Sequence, residues 1–112
     1  MSQFVGTWNT MRMKDDGTFT AEPIQITIKV DENTSEPALE GRYPRPGIDA
    51  SLIGSYVEGA NYWKAQFQET ASPSDQGTVL FVLSEDFNTL HGAWTSQNFP
   101  FQTQPWYGTR VQ

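Results

Sequence analysis

The chain has 112 residues, no cysteine and a formal net charge of −6, which fits one domain large enough to bury a core without staples. This excludes a disulfide framework and thiolate chemistry. The negative charge, with no local cluster of Lys or Arg, argues against a phosphate-backbone partner. Met1–Gly6 lacks the basic and apolar regions of a leader, and no apolar run approaches the ~18 residues of a membrane-spanning helix. The expectation is therefore a cytoplasmic protein with no membrane partner.

No segment keeps a 3.6-residue apolar period, whereas period-two alternation broken by turn residues recurs from end to end. Eight strands are expected. The first covers about Phe4 to Met13 and stops at the turn Lys14-Asp15-Asp16-Gly17. The second is Ile24 to Val30, in strict alternation, with Glu22-Pro23 marking an irregular entry. The third is Ala38 to Tyr43, stopped by Pro44-Arg45-Pro46-Gly47, and the fourth is Ile48 to Val57, stopped at Glu58-Gly59-Ala60-Asn61. The fifth is Tyr62 to Thr70, followed by the loop Ala71–Gln76; the sixth is Gly77 to Ser84. The seventh is Thr89 to Thr95, and a longer loop, Ser96 to Pro105, leads to the eighth, Trp106 to Val111.

Six times a small residue stands between two large ones at a spacing of two. These sets are Phe4-Gly6-Trp8, Leu39-Gly41-Tyr43, Leu52-Gly54-Tyr56, Trp63-Ala65-Phe67, Leu90-Gly92-Trp94 and Trp106-Gly108-Arg110. A large-small-large strand face suits the inside of a tightly coiled sheet, where the small residue makes room and lets the strand bend. All connections are short enough for antiparallel neighbours. The fold class expected is all-β: a single-domain, eight-stranded, antiparallel up-and-down barrel, with an open two-sheet sandwich as the competitor.

Strand parity places Trp8, Tyr43, Phe67, Phe81, Trp94 and Trp106 inward, and Asn9, Arg42, Lys64, Gln66 and His91 outward. Of the outward apolar residues, Leu80 and Val82 are the best candidates for a homo-oligomer face. The loops after strands one, three, five and seven share one end, and the last of them carries Phe99 and Phe101. This end is the expected binding mouth, with Tyr43, Phe67, Glu69, Trp94, Phe99, Phe101 and Trp106 as candidate ligand-binding residues.

Gly6-Thr7-Trp8 on the first strand and Arg110 on the last resemble the calycin signature of lipocalins, fatty-acid-binding proteins and avidins. The resemblance implies that Arg110 stacks over Trp8 as structural barrel closure. Length and strand spacing are most similar to the avidin and streptavidin group, through Gly6-Thr7-Trp8-Asn9, Leu39-Glu40-Gly41-Arg42-Tyr43, Trp63 to Glu69, and Trp106 onward. In that group Tyr43 and Trp106 would be ligand contacts. The biotin-binding set is incomplete here: Asn9 is one residue out of step, and Gly108-Thr109-Arg110 stands where the last-strand aspartate would.

Catalytic and metal readings are weak. One outward histidine, His91, and no cysteine make a zinc site or a Ser-His-Asp arrangement improbable. Asp15-Asp16 and Glu85-Asp86 sit in turns, where acidic residues are common without calcium. No cofactor is implied, and Glu69 is the one inward carboxylate near the mouth. The sequence thus points to a non-enzymatic barrel that takes a small apolar or planar ligand in an aromatic cup. The alternative is a protein-interaction or inhibitor module with a filled core, acting through rim loops on a protein partner, with Arg45 as a protruding cation between two prolines. A cavity favours the first and a filled interior the second.

Overall fold

A computed structural model describes residues 2–14, 16–20, 22–35, 37–43, 49–70, 75–98 and 100–111. Eight strands follow one another: β1 (Gly6–Arg12), β2 (Ile24–Val30), β3 (Ala38–Arg42), β4 (Asp49–Ser55), β5 (Tyr62–Thr70), β6 (Asp75–Leu83), β7 (Thr89–Ser96) and β8 (Gln104–Arg110). Each pairs antiparallel with the next, and β8 returns to β1, so the sheet is a closed up-and-down barrel. The closing register runs from Trp8 opposite Arg110 to Arg12 opposite Trp106. Closure leaves no edge strand to template aggregation.

β2 and β5 have the bounds their alternation suggests. The first strand is shorter than its apolar pattern. Gly6 has φ +143, a conformation that L side chains rarely adopt, and it turns the preceding residues across the barrel end. Phe4 there packs on Trp63 with ring centroids 6.1 Å apart. Beyond Arg12, Met13 donates its N–H to the Pro105 carbonyl at 2.9 Å and forms an isolated bridge to Phe19. β6 starts earlier than expected, because Gln76 and Asp75 still pair with Gln68 and Glu69 of β5. β8 likewise starts at Gln104, since Pro105 pairs with Ala93 despite lacking an N–H.

Inward side chains from all eight strands form one core, including Trp8, Ile26, Leu39, Leu52, Trp63, Phe67, Phe81, Leu90 and Trp106. Phe81 bridges its middle, 6.4 Å from Trp63 and 5.5 Å from Trp106 between ring centroids. The glycines of the trios are set by close approach. A Cβ on Gly92 would lie 2.5 Å from Phe81 Cδ1 and 2.6 Å from the Trp106 carbonyl oxygen; one on Gly108 would lie 2.5 Å from the Asn9 carbonyl oxygen. The glycines therefore hold the space into which large residues of neighbouring strands fit.

Candidate functional site

Two polar constructions cap the interior. At one end, the Arg110 guanidinium lies 4.2 Å from the centroid of the Trp8 ring. Its nitrogens donate to the carbonyls of Phe87, Val5 and Gln3 at 2.6–3.1 Å. The indole N–H of Trp8 donates to the Phe4 carbonyl at 2.9 Å. Arg110 thus ties both chain ends and the turn before β7 over one tryptophan, which is a closure device.

At the other end stands a second arginine. Positions 8, 10 and 12 of β1 share a face, so Trp8, Thr10 and Arg12 all point inward and all are buried. Arg12 Nη1 donates to Glu69 Oε2 at 2.7 Å, with both side chains at least nine-tenths shielded. Tyr43 donates its hydroxyl to the same oxygen at 2.9 Å. Burial first, and the Glu69 carboxylate second, hold the Tyr43 hydroxyl well above the usual tyrosine range, although Arg12 pulls the other way. Tyr43 is therefore a neutral donor.

The Arg12 guanidinium is flanked by aromatic rings, 5.0 Å from the Trp94 centroid and 4.9 Å from that of Trp106. Each indole is pinned in turn. Trp94 donates to the Met13 carbonyl at 2.9 Å, and Trp106 to Thr10 Oγ1 at 2.8 Å, while Thr10 donates to the Ile24 carbonyl at 2.7 Å. Tyr43 meets Trp106 edge-on at 5.5 Å, and Phe67 meets Trp94 the same way at 5.7 Å. Among the described residues, one buried polar side-chain atom lacks a hydrogen-bond partner: Arg12 Nε.

The expected ligand-binding residues Tyr43, Phe67, Glu69, Trp94 and Trp106 are thus brought together. They face one another rather than solvent, and none exceeds 5% exposure. Phe101 is not part of the group; it stands fully exposed. Phe99 and Arg45 lie outside the described residues. Sequence reasoning missed Arg12, although its step of two from Thr10 carried the signal; an inward arginine was expected at the closed end, as Arg110, and not at the mouth.

No family model, curated protein or solved structure matches the chain.

The outer surface divides into two unlike halves. On β2 to β5 the outward positions include Lys29, Glu40, Arg42, Asp49 and Lys64. Loose ion pairs link Arg42 to Glu40 at 3.6 Å and to Asp49 at 3.8 Å. On β6, β7, β8 and β1 the outward positions are Gln76, Thr78, Leu80 and Val82; Thr89, His91, Ala93 and Thr95; Pro105, Tyr107 and Thr109; and Thr7, Asn9 and Met11. None is Asp, Glu, Lys or Arg. Leu80 is 44% exposed, Val82 37% and Tyr107 39%. The register sets Val82 beside His91, His91 beside Tyr107, and Tyr107 beside Met11, in one row across four strands. Between β7, β8 and β1 this half dips into a hollow of about 300 Å³ lined by Asn9, Met11, Thr89, His91, Tyr107 and Thr109.

Proposed function

We propose that the protein is a non-enzymatic interaction module: a filled barrel that acts through its outside. The observation that carries this reading is the half-surface on β6, β7, β8 and β1, which has no formally charged side chain in a chain with 13 acidic and 7 basic residues. Charge is the ordinary means of keeping such a surface solvated and unpaired. An uncharged, half-apolar face spread over four strands is suited to contact with protein. The shielding of the aromatic group within the barrel supports the same reading, because a solute reaching that end meets little of Tyr43, Phe67 or Trp106.

The Trp8–Arg110 stack supports a calycin-type barrel as the finer class. For the avidin-like group the support is the short strand motifs and the barrel size, not the ligand chemistry. Tyr43 is engaged with Glu69, and Gly108-Thr109-Arg110 is part of the closure.

A second reading, a small-ligand barrel, is favoured by one atom. The buried N–H of Arg12 Nε calls for an acceptor, and a carbonyl or carboxylate oxygen of a compact ligand would supply one. Native mass spectrometry and tryptophan fluorescence separate the two. The interaction reading expects no retained small molecule and no emission shift across a broad ligand panel. A stoichiometric adduct lost on substituting Arg12→Met would overturn it in favour of the ligand barrel.

A further inference from the structure

We propose that the uncharged half of the barrel docks a second copy of this chain, with the Leu80–Val82 ridge of each copy seated against the hollow beside His91 and Tyr107 on the other. This rests on the interaction reading above and names its partner.

Charge selects the occupant. With a net charge of −6, two copies repel wherever acidic surface meets acidic surface. The face of β6, β7, β8 and β1 is where they can approach with the carboxylates of both turned away. A basic partner would find no carboxylate on this face to pair with, and an acidic one gains nothing over the chain itself. Complementarity of an uncharged face is with another uncharged face, and an identical chain supplies one at equal concentration.

Shape selects the arrangement. The ridge is on β6, where Leu80 and Val82 project, and the hollow lies on the far side of β7, around β8. β7 itself contributes the small Ala93, flanked in register by Leu80 on one side and Pro105 on the other. A two-fold axis running along β7 in the plane of contact exchanges the positions of β6 and β8. It therefore sets each Val82 against the other copy's Tyr107, so ridge meets hollow twice. An axis at right angles to the strands would set ridge on ridge. With the axis along β7, strands β6, β7 and β8 of each copy face β8, β7 and β6 of the other. These three strands, about 4.8 Å apart with seven residues rising about 3.3 Å each, cover roughly 330 Å². This falls short of the ~600–800 Å² per partner of a standard specific interface and corresponds to a weak, transient contact. The affinity expected is accordingly micromolar rather than nanomolar.

The test is sedimentation equilibrium of the full chain from low micromolar to sub-millimolar concentration. A reversible monomer–dimer equilibrium is expected. Leu80→Glu with Val82→Glu should raise the dissociation constant by about a hundredfold or more, since each glutamate would be desolvated in the contact. Near-UV circular dichroism should show the barrel unchanged, and Thr27→Glu on the opposite half should leave association intact. The chain has no native cysteine, so Ala93→Cys provides a single thiol close to the axis. A short bis-maleimide should couple two copies through it, and should not do so through Thr27→Cys. A wild type that stays monomeric throughout overturns the second-copy proposal and leaves the filled-barrel reading standing. So does a dimer that survives the Leu80 and Val82 changes or that couples through Thr27→Cys. A retained small molecule removes the interaction reading itself.

Discussion

Both ends of this barrel set an arginine against tryptophan, yet the two are built on opposite principles. Arg110 keeps partial contact with water and spends its donors on three backbone carbonyls, which are neutral and already fixed by the sheet. Its charge is never fully desolvated, and its loss strands no other charge. Arg12 is 5% exposed and leans on a single buried carboxylate, with a neutral phenol sharing the same oxygen. A buried pair of this kind recovers much of its desolvation cost only while both members are present. The lesson is that similar residue chemistry gives a tolerant clamp at one end and an all-or-none plug at the other.

The largest effect is expected from removing one half of the plug. Glu69→Ala leaves the Arg12 cation buried without its counter-charge and should cost about 3–5 kcal/mol in urea denaturation. Adding Arg12→Met in the same chain should recover most of that loss, so the double-mutant cycle is strongly non-additive. At the closed end the largest effect expected is for Gly6→Ala. A Cβ there would lie 2.7 Å from Arg110 Nη1, and φ at this position is +143. Strain and displacement of the clamp together should cost ~2–3 kcal/mol by thermal or urea unfolding.

Arg110→Lys keeps the charge but loses the planar fork that reaches several carbonyls, and should cost about 1–2 kcal/mol. Its midpoint should respond to salt no more than that of the wild type, because its partners are uncharged. Tyr43→Phe should be the mildest, at about 1 kcal/mol at neutral pH, the net value of one hydrogen bond. It also carries a pH signature. The Tyr43 hydroxyl is held above its ordinary value in the fold, so the folded state keeps a proton that the unfolded chain releases. That contribution is complete below the ordinary tyrosine range of about 10 and is lost as pH rises above it. Tyr43→Phe should therefore flatten the alkaline fall in stability measured by urea midpoints between neutral pH and the alkaline limit.

Much of the fold was legible in the chain. The alternation Ile24-Gln25-Ile26-Thr27-Ile28-Lys29-Val30 fixed both bounds of β2, and the trios marked where strands crowd one another, as the contacts around Gly92 and Gly108 explain. The ends of β6 and β8 were less legible. Polar Asp75, Gln76 and Gln104 resemble loop residues, and only the register of a neighbouring strand extends the ladder through them. The mouth-side aromatic group was readable by parity, but its state was not. Whether Tyr43, Phe67, Trp94 and Trp106 line a cup or fill it depends on Arg12, whose charge suggests an outward position while its parity places it inward. The division of the outer surface was readable only in part: Leu80 and Val82 stood out, whereas the uncharged face they share needs the strand order that sets β6, β7, β8 and β1 side by side, with Lys64 of β5 bordering it beside Leu80.

On the proposed reading the barrel is full and meets its partner with its uncharged side. Native mass spectrometry of the purified wild-type chain tests this most directly. A dimer peak of twice the chain mass with nothing added, growing with concentration, is expected. A monomer carrying one equivalent of a small molecule would contradict it.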